Sequence, residues 1–359
     1  MMTSRERVQA AFAHSQPDYP PCDYFYTPEI HQALLQHFGV NQEDDVRDRL
    51  GTDIRYLDPP YIGPALTQYN DGSTMDIWGI LKKPMPNEYG DYAESVNFPY
   101  ASWKTVEEAE QFSWPDPSWY DYSAIPELCK QYPDFCIATG SFGVQDFING
   151  VAFGRGVEQV LIDIAHEDPV YLYIVEKRHR FYLEMIERTL EAAKGRIDLV
   201  LCGDDFGTQR GLLISPRSFD RLFAPKKKEF FDLIHQYGAR VSHHCCGSSL
   251  KLIPRFIEVG MDAIQTIQPR AEGMNPYRLK EQFGSQLTLH GAVDIQGWLQ
   301  SASPEEIERE VDQLLDVVGA GGGFILSPCH NIQPDTPLEN VLALYRAVAQ
   351  YRGGVTSRM

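Results

Sequence analysis

The chain has 359 residues, with 50 acidic against 32 basic side chains and a formal charge of −18. That length holds a large core and fits either one α/β barrel with insertions or two average domains, while the acidic surplus excludes an extended nucleic-acid surface and binding to anionic membranes. No run approaches the roughly 20 apolar residues that span a bilayer, and the opening Met-Met-Thr-Ser-Arg-Glu-Arg lacks the apolar core of a signal peptide, so a cytoplasmic location is expected.

Residues Ser4 to His14 have a helical pattern, which Gln16-Pro-Asp-Tyr-Pro-Pro21 stops before the strand-like Cys22-Asp-Tyr-Phe-Tyr-Thr27. A helix over Pro28 to Phe38 follows. Residues 57 to 100, rich in Pro, Gly, Tyr and Asn, are expected to form hairpins and irregular loops, including Asp76-Ile-Trp-Gly79. The aromatic residues of this third, among them Tyr24, Tyr26, Trp78 and Tyr92, read as core or lid packing. Cys22, Cys136 and Cys202 lie in or beside apolar runs, where free cysteine packs as a small buried side chain. The seven cysteines, odd in number and scattered, do not form a disulfide framework.

From residue 134 onward short apolar runs alternate with longer amphipathic ones. Strands are predicted at Phe135 to Thr139, Ile197 to Cys202, Ala239 to Cys245, Ala263 to Ile267, Leu287 to Val293 and Gly323 to Ser327. Helical patterns cover Pro169 to Ala193, Pro216 to Tyr237, Leu250 to Val259, Pro304 to Val318 and Pro337 to Tyr351, with prolines near several starts and glycines such as Gly238, Gly260 and Gly319 at stops. Repeated βα units imply a parallel sheet. Six strands plus one or two near the N-terminus approach eight. Neither a Gly-x-Gly-x-x-Gly turn nor a phosphate loop is present. The expectation is therefore a single (β/α)8 TIM barrel over residues 1–359, irregular over 1–130 with helical and hairpin elaboration, regular over 131–359. Its chemistry belongs at the C-terminal ends of the strands.

The unusual residues fall at those ends. Ala239-Arg-Val-Ser-His-His-Cys-Cys-Gly247 packs two histidines and two cysteines into four consecutive positions, and strand alternation puts His244 and Cys246 on one face, His243 and Cys245 on the other. Cys329, just after the last strand, supplies a third soft donor, and one histidine with two thiolates suits zinc. His243, Cys245 and His330 are alternatives displaced by one residue. Gly247 favours His244 with Cys246, because a glycine there lets the backbone turn. Asp204 and Asp205 are candidate catalytic carboxylates, able to share a proton, orient a substrate or add a fourth ligand; capping the loop is the plainer role. Gln209, Gln268, His290 and Asp294 are candidate substrate contacts around the same mouth.

At these residues the chain resembles the uroporphyrinogen decarboxylase superfamily, which holds the haem-pathway decarboxylase together with zinc-dependent, corrinoid-linked methyltransferases. The resemblance runs over nearly the whole chain and rests on Ser4-Arg-Glu-Arg-Val-Gln-Ala-Ala-Phe, Asp76-Ile-Trp-Gly, Gly203-Asp-Asp-Phe-Gly-Thr-Gln, His244-Cys-Cys-Gly, Gly291-Ala-Val-Asp-Ile-Gln and Gly321-Gly-Gly-Phe-Ile-Leu-Ser-Pro-Cys-His-Asn-Ile-Gln. The decarboxylase branch has an arginine-containing segment near its N-terminus, whereas Cys22-Asp-Tyr-Phe-Tyr-Thr-Pro-Glu here has no arginine to meet a substrate with many carboxylates. The methyltransferase branch is marked by His-x-Cys with a distant Cys, which His244, Cys246 and Cys329 match. The resemblance implies a bound zinc ion, and methylcobalamin carried on a partner corrinoid protein. The acceptor would be a small thiol, or in the reverse sense the donor a small methoxylated or methylamine-type substrate, with Asp204 or Asp205 protonating the leaving group. A metal-free tetrapyrrole decarboxylase and a non-catalytic barrel that docks a corrinoid protein are the competing expectations; a homo-oligomer is compatible with each.

Overall fold

The computed structural model describes residues 1–88 and 90–353. Helix α1 (Ser4–Phe12) begins at Thr3, whose hydroxyl accepts from the Glu6 backbone while the Glu6 carboxylate accepts from the Thr3 N–H, a reciprocal cap. The prolines that follow prevent the helix from continuing. Cys22 to Tyr26 then run extended beside the far end of the chain, with parallel bridges from Cys22 to Leu326 and from Tyr26 to Ile332. Helix α2 (Pro28–Phe38) has proline in its first turn and closes on Gly39 in the left-handed conformation. Helix α3 (Glu43–Leu50) leads into strand β1 (Ile54–Tyr56).

The Pro- and Tyr-rich stretch forms a small antiparallel sheet of β2 (Thr74–Met75), β3 (Leu81–Asn87) and β4 (Gly90–Ser95). The remaining strands are β5 (Cys136–Gly140), β6 (Leu199–Gly203), β7 (Arg240–His244), β8 (Ala263–Ile267), β9 (Thr288–Val293) and β10 (Phe324–Pro328). They are parallel and lie in the order β1-β5-β6-β7-β8-β9-β10. The extended segment at Cys22 bonds to both open edges: Leu326 N donates to Pro21 O and Asp53 N donates to Cys22 O, each at 2.9 Å. It is the eighth stave, so the architecture is the expected α/β barrel. Among the described residues no helix is long and apolar enough to cross a membrane.

Alternation along each stave separates two layers. Ile54, Cys136, Ala138, Leu199, Ala263 and Ile325 point inward and, with Val8 and Phe12 of α1, plug the N-terminal end of the barrel. Their neighbours, such as Val200, Cys202 and Val241, point outward into the larger core under the helices. Both faces of the sheet are therefore buried, as a parallel barrel requires. Above the plug the interior turns polar, with Asp23, Ser242, Gln265 and His290 all buried.

Two expected helices contain π-helical turns. The stretch from Pro216 breaks into Pro216–Ser218, a π turn Phe219–Phe223, and a helix Ala224–Gln236; Pro225 lacks the N–H that would bond the carbonyl of Arg221, so the turn must widen there. The helix from Pro304 ends at Gln313 and continues as a π turn Leu314–Val318.

Candidate metal centre

Strand β7 presents Ser242 and His244 to the barrel interior. His243 goes the other way, into a box of phenylalanines: its ring lies 6.2 Å from Phe206, 6.1 Å from Phe231 and 5.8 Å from Phe256. Burial, with Lys227 nearby, pushes the His243 pKa well below its usual value, and neither ring nitrogen has a hydrogen-bond partner. Cys245 is buried on the same side and takes a bond from Phe206 N. Of the displaced alternatives, His243 and Cys245 are therefore core packing.

On the inner face, His244 Nε2 lies 3.2 Å from Cys246 Sγ. Donor atoms of His244, Cys246 and His330 all lie within 4.8 Å of one another. The Phe142 ring stacks on His244 with 4.1 Å between centroids, and the His330 ring stands 5.3 Å from that of His244. Cys329, the third ligand expected from sequence, is not in this group. Its backbone bonds to Val293 O at 2.8 Å, and its thiol meets the Ile295 backbone, which leaves His330 to reach the cluster. Burial pushes the Cys329 thiol up to about 12.

The two candidate carboxylates separate in the same way. Asp205 accepts from the Cys246 N–H at 2.7 Å and from Asn149 Nδ2 at 2.9 Å, with its Oδ1 3.8 Å from His244 Nε2. Asp204 turns into the wall of the barrel, where it accepts from Ile148 N at 3.0 Å and sits 3.6 Å from the buried Lys227 Nζ. Burial outweighs the pull of Lys227 and raises the Asp204 pKa well above the carboxylate range. Asp204 thus organises the loop after β5, and Asp205 alone of the pair faces the cluster.

Burial lowers the pKa of His244 to about 4 against the opposing pull of Asp205, so the imidazole is neutral with a lone pair to offer. Burial lowers that of His330 as well. The Cys246 thiol is pushed far up, by burial first and then by the Asp205 carboxylate. Two neutral imidazoles, a thiol that resists ionisation and a carboxylate make a donor set to which a cation would add the missing positive charge. Nitrogen and sulfur donors at this spacing fit a zinc ion, with Asp205 within reach as a further oxygen donor.

The remaining expected contacts surround this group at different depths. Gln268 Oε1 accepts from Gly247 N at 2.7 Å and so holds the turn after Cys246, while Gln209 Nε2 lies 3.5 Å from Gln268 on the exposed rim. His290 sits deep in the barrel, with Nε2 3.4 Å from Asp23 and Nδ1 3.5 Å from Ser242. Asp294 receives Arg270 Nε and the Gln296 backbone, both at 2.6 Å, and is a loop organiser.

Strand β8 is irregular beside the cluster. Its register against β9 slips between Gln265 and Ile267, leaving Thr266 unpaired with φ +81°. A β-branched residue is rarely found in that region, and holding it there costs about 1–3 kcal/mol.

A cavity of about 210 Å³ adjoins the cluster, walled by Tyr24, Phe25, Tyr26, Tyr56 and Phe142, with Arg47 on one side. Phe142 separates it from His244. Arg47 comes from α3, which the sequence pattern did not reveal as a helix, so an arginine does reach the Cys22–Glu29 stretch, from a different element. Its Nε bonds Glu43 at 2.8 Å, while its two terminal nitrogens make only long contacts of 3.4 Å, to Asp23 and Tyr24 O. The Tyr24 hydroxyl on the wall is buried without a partner.

A family model described as uroporphyrinogen decarboxylase (URO-D) matches residues 156–351, more than half of the chain and all of its staves from β6 to β10. Among solved structures, a methyltransferase from Methanosarcina mazei superposes with a TM-score of 0.67 at 18% identity, covering 98% of this chain and 99% of that one. D-Psicose 3-epimerase with D-tagatose from Clostridium cellulolyticum H10 gives a TM-score of only 0.38 at 12% identity, covering 72% of this chain and 99% of that one, too loose to carry an argument. The curated proteins hold no match to the chain. The end-to-end likeness at 18% identity establishes the barrel and its elaborations, and the family match covers the strand ends that carry His244, Cys246 and His330: the chain is a member of the uroporphyrinogen decarboxylase family.

Proposed function

We propose that this protein is a zinc-dependent methyltransferase of corrinoid-linked one-carbon chemistry. It would move a methyl group between the cobalt of a corrinoid on a separate protein and a small thiol or methylated substrate. In the thiol direction a sulfur–carbon bond forms as the cobalt–carbon bond breaks, with that electron pair left on cobalt. The observation that carries this reading is the cluster of His244, Cys246 and His330 at the barrel mouth, beside Asp205. Its fold likeness to the methyltransferase from Methanosarcina mazei agrees with it.

His244 and Cys246 would hold the metal together with one donor of the Cys329–His330 pair, and the distances favour His330. A bound zinc ion would supply the positive charge that keeps Cys246 and a substrate thiol as thiolates at neutral pH. Phe142 stacks on His244 and lines the neighbouring cavity with its other side. The aromatic walls of that cavity suit a small flat or apolar body, and Arg47 with the Tyr24 hydroxyl suits an oxygen-bearing end. Asp205 would orient the Cys246 backbone and lend its carboxylate to the metal as a further oxygen donor; Asp204, turned into the barrel wall, would not. One arginine, already shared with Asp23 and Glu43, is a poor match to a macrocycle with many carboxylates.

The purified protein is expected to contain one zinc per chain, and Cys246→Ser to lose it. Cobalt(II) in place of zinc counts the thiolates: one sulfur-to-metal charge-transfer contribution is expected if His330 is the third ligand, two if Cys329 is. Metal-free protein that releases carbon dioxide from a porphyrinogen would overturn the reading.

A further inference from the structure

The bulge in β8 bears on the same cluster. On a regular strand Gln265 and Thr266 would face opposite sides of the sheet. The extra residue in β8 changes that: Gln265 remains level with His290, Ile267 moves level with Gly291, and Thr266 turns inward. Both side chains then converge on one atom. His244 Nδ1 lies 2.5 Å from Gln265 Oε1 and 2.7 Å from Thr266 Oγ1, and Thr266 Oγ1 lies 2.7 Å from Gln265 Oε1. All three residues are buried.

The neighbouring strand accommodates this geometry. Gly291 has φ +132°, and a Cβ there would stand 2.9 Å from Ile267 N, a distance that backbone atoms do not tolerate. A side chain on β9 would therefore force the bulge out.

We propose that Gln265 and Thr266 are positioning residues which fix the tautomer and plane of the His244 ring, so that Nε2 presents its lone pair to the metal. The Gln265 carbonyl oxygen can only accept. It takes the Nδ1 proton and the Thr266 hydroxyl proton together, which keeps hydrogen off Nε2, the atom facing Cys246 Sγ. An outer partner of this kind typically changes metal affinity by about 10–100-fold. The inference rests on the zinc site proposed above, but part of its test needs no metal.

Nitrogen-15 spectra of histidine in the metal-free protein should show His244 protonated at Nδ1 and bare at Nε2; a ring protonated at Nε2 overturns the proposal. Thr266→Gly removes the hydroxyl and also relieves the positive-φ strain. It is expected to unfold at a higher temperature than the native chain, to spread the His244 tautomers, and to bind zinc about 10–100-fold more weakly. Thr266→Ser should restore zinc affinity to near the native value. If Thr266→Gly fails to fold, Thr266→Ala against Thr266→Ser makes the same comparison. Native zinc affinity in the hydroxyl-free variants, with zinc lost in Cys246→Ser, overturns the positioning role alone. Native affinity in Cys246→Ser overturns the metal site itself.

Discussion

Cys246 and Cys329 have the same functional group and opposite surroundings. Cys246 lies between His244 and Asp205, whereas Cys329 meets backbone N–H groups one residue short of the cluster. Alternation along β7 was enough to separate His244 and Cys246 from His243 and Cys245, because periodicity is a local property. Past the end of β10 no such period applies, so whether residue 329 or 330 faces the mouth depends on how the chain turns there. Asp204 and Asp205 show the same limit, since identical neighbours acquire opposite roles from a loop and a lysine distant in sequence. Replacing Asp205 by Asn keeps an acceptor for the Cys246 N–H but removes the charge. Zinc affinity is expected to fall about tenfold, and competition with a calibrated chelator measures it; unchanged affinity would reduce Asp205 to a loop organiser.

At the level of elements, β8 with its bulge and β9 with its glycine form one device. Gly291→Ala would set a methyl group 2.9 Å from Ile267 N at φ +132°. We expect a loss of about 2 kcal/mol in stability, read from the urea midpoint, together with weaker zinc binding as Thr266 is displaced. The long helix Pro169–Ala193 and strand β8 were legible in the sequence with the bounds they have, because strong periodicity and proline starts mark them. Helix α3 was not. Among its eight residues only Val46 and Leu50 are apolar, and Arg47, which reads as a solvent-facing charge, is buried against the aromatic cavity. The bulge was equally hidden, because Ala263-Ile-Gln-Thr-Ile267 contains no glycine to signal it.

Across the whole molecule, the barrel closes through charged pairs between its first stave and distant segments. Asp53 takes Arg7 Nη1 at 2.7 Å, Arg352 Nη2 at 2.8 Å and Cys22 N at 2.9 Å, tying together both ends of the described chain. Inside the barrel, burial would raise the Asp23 pKa, but its contact with His290, followed by Arg47 and Tyr56, holds it below its usual value. A carboxyl held low when folded stabilises the protein fully above its unfolded pKa of about 3.9, and that share is lost as pH falls through the lower folded value. The native midpoint in urea should therefore drop as pH falls below about 4. Asp23→Asn should be less stable at pH 7 by about 3 kcal/mol, because His290 and Arg47 lose a buried partner, and its midpoint should vary less with acid. A native-like acid dependence in that variant would remove Asp23 from the account.

The amino-acid sequence by itself determined the class of fold, the positions of most of its parallel strands and the end of the barrel at which chemistry is possible. Each of these follows from hydrophobic period, turn residues and the rule that strand ends carry the loops. Tertiary structure alone showed that His330 lies in one group with His244 and Cys246 while the Cys329 thiol meets the Ile295 backbone, that Asp205 rather than Asp204 faces this group, and that Gln265 and Thr266 share one target. These outcomes depend on a register slip, on chain direction after a strand and on contacts between residues far apart in sequence, and none of these is fixed by a local pattern.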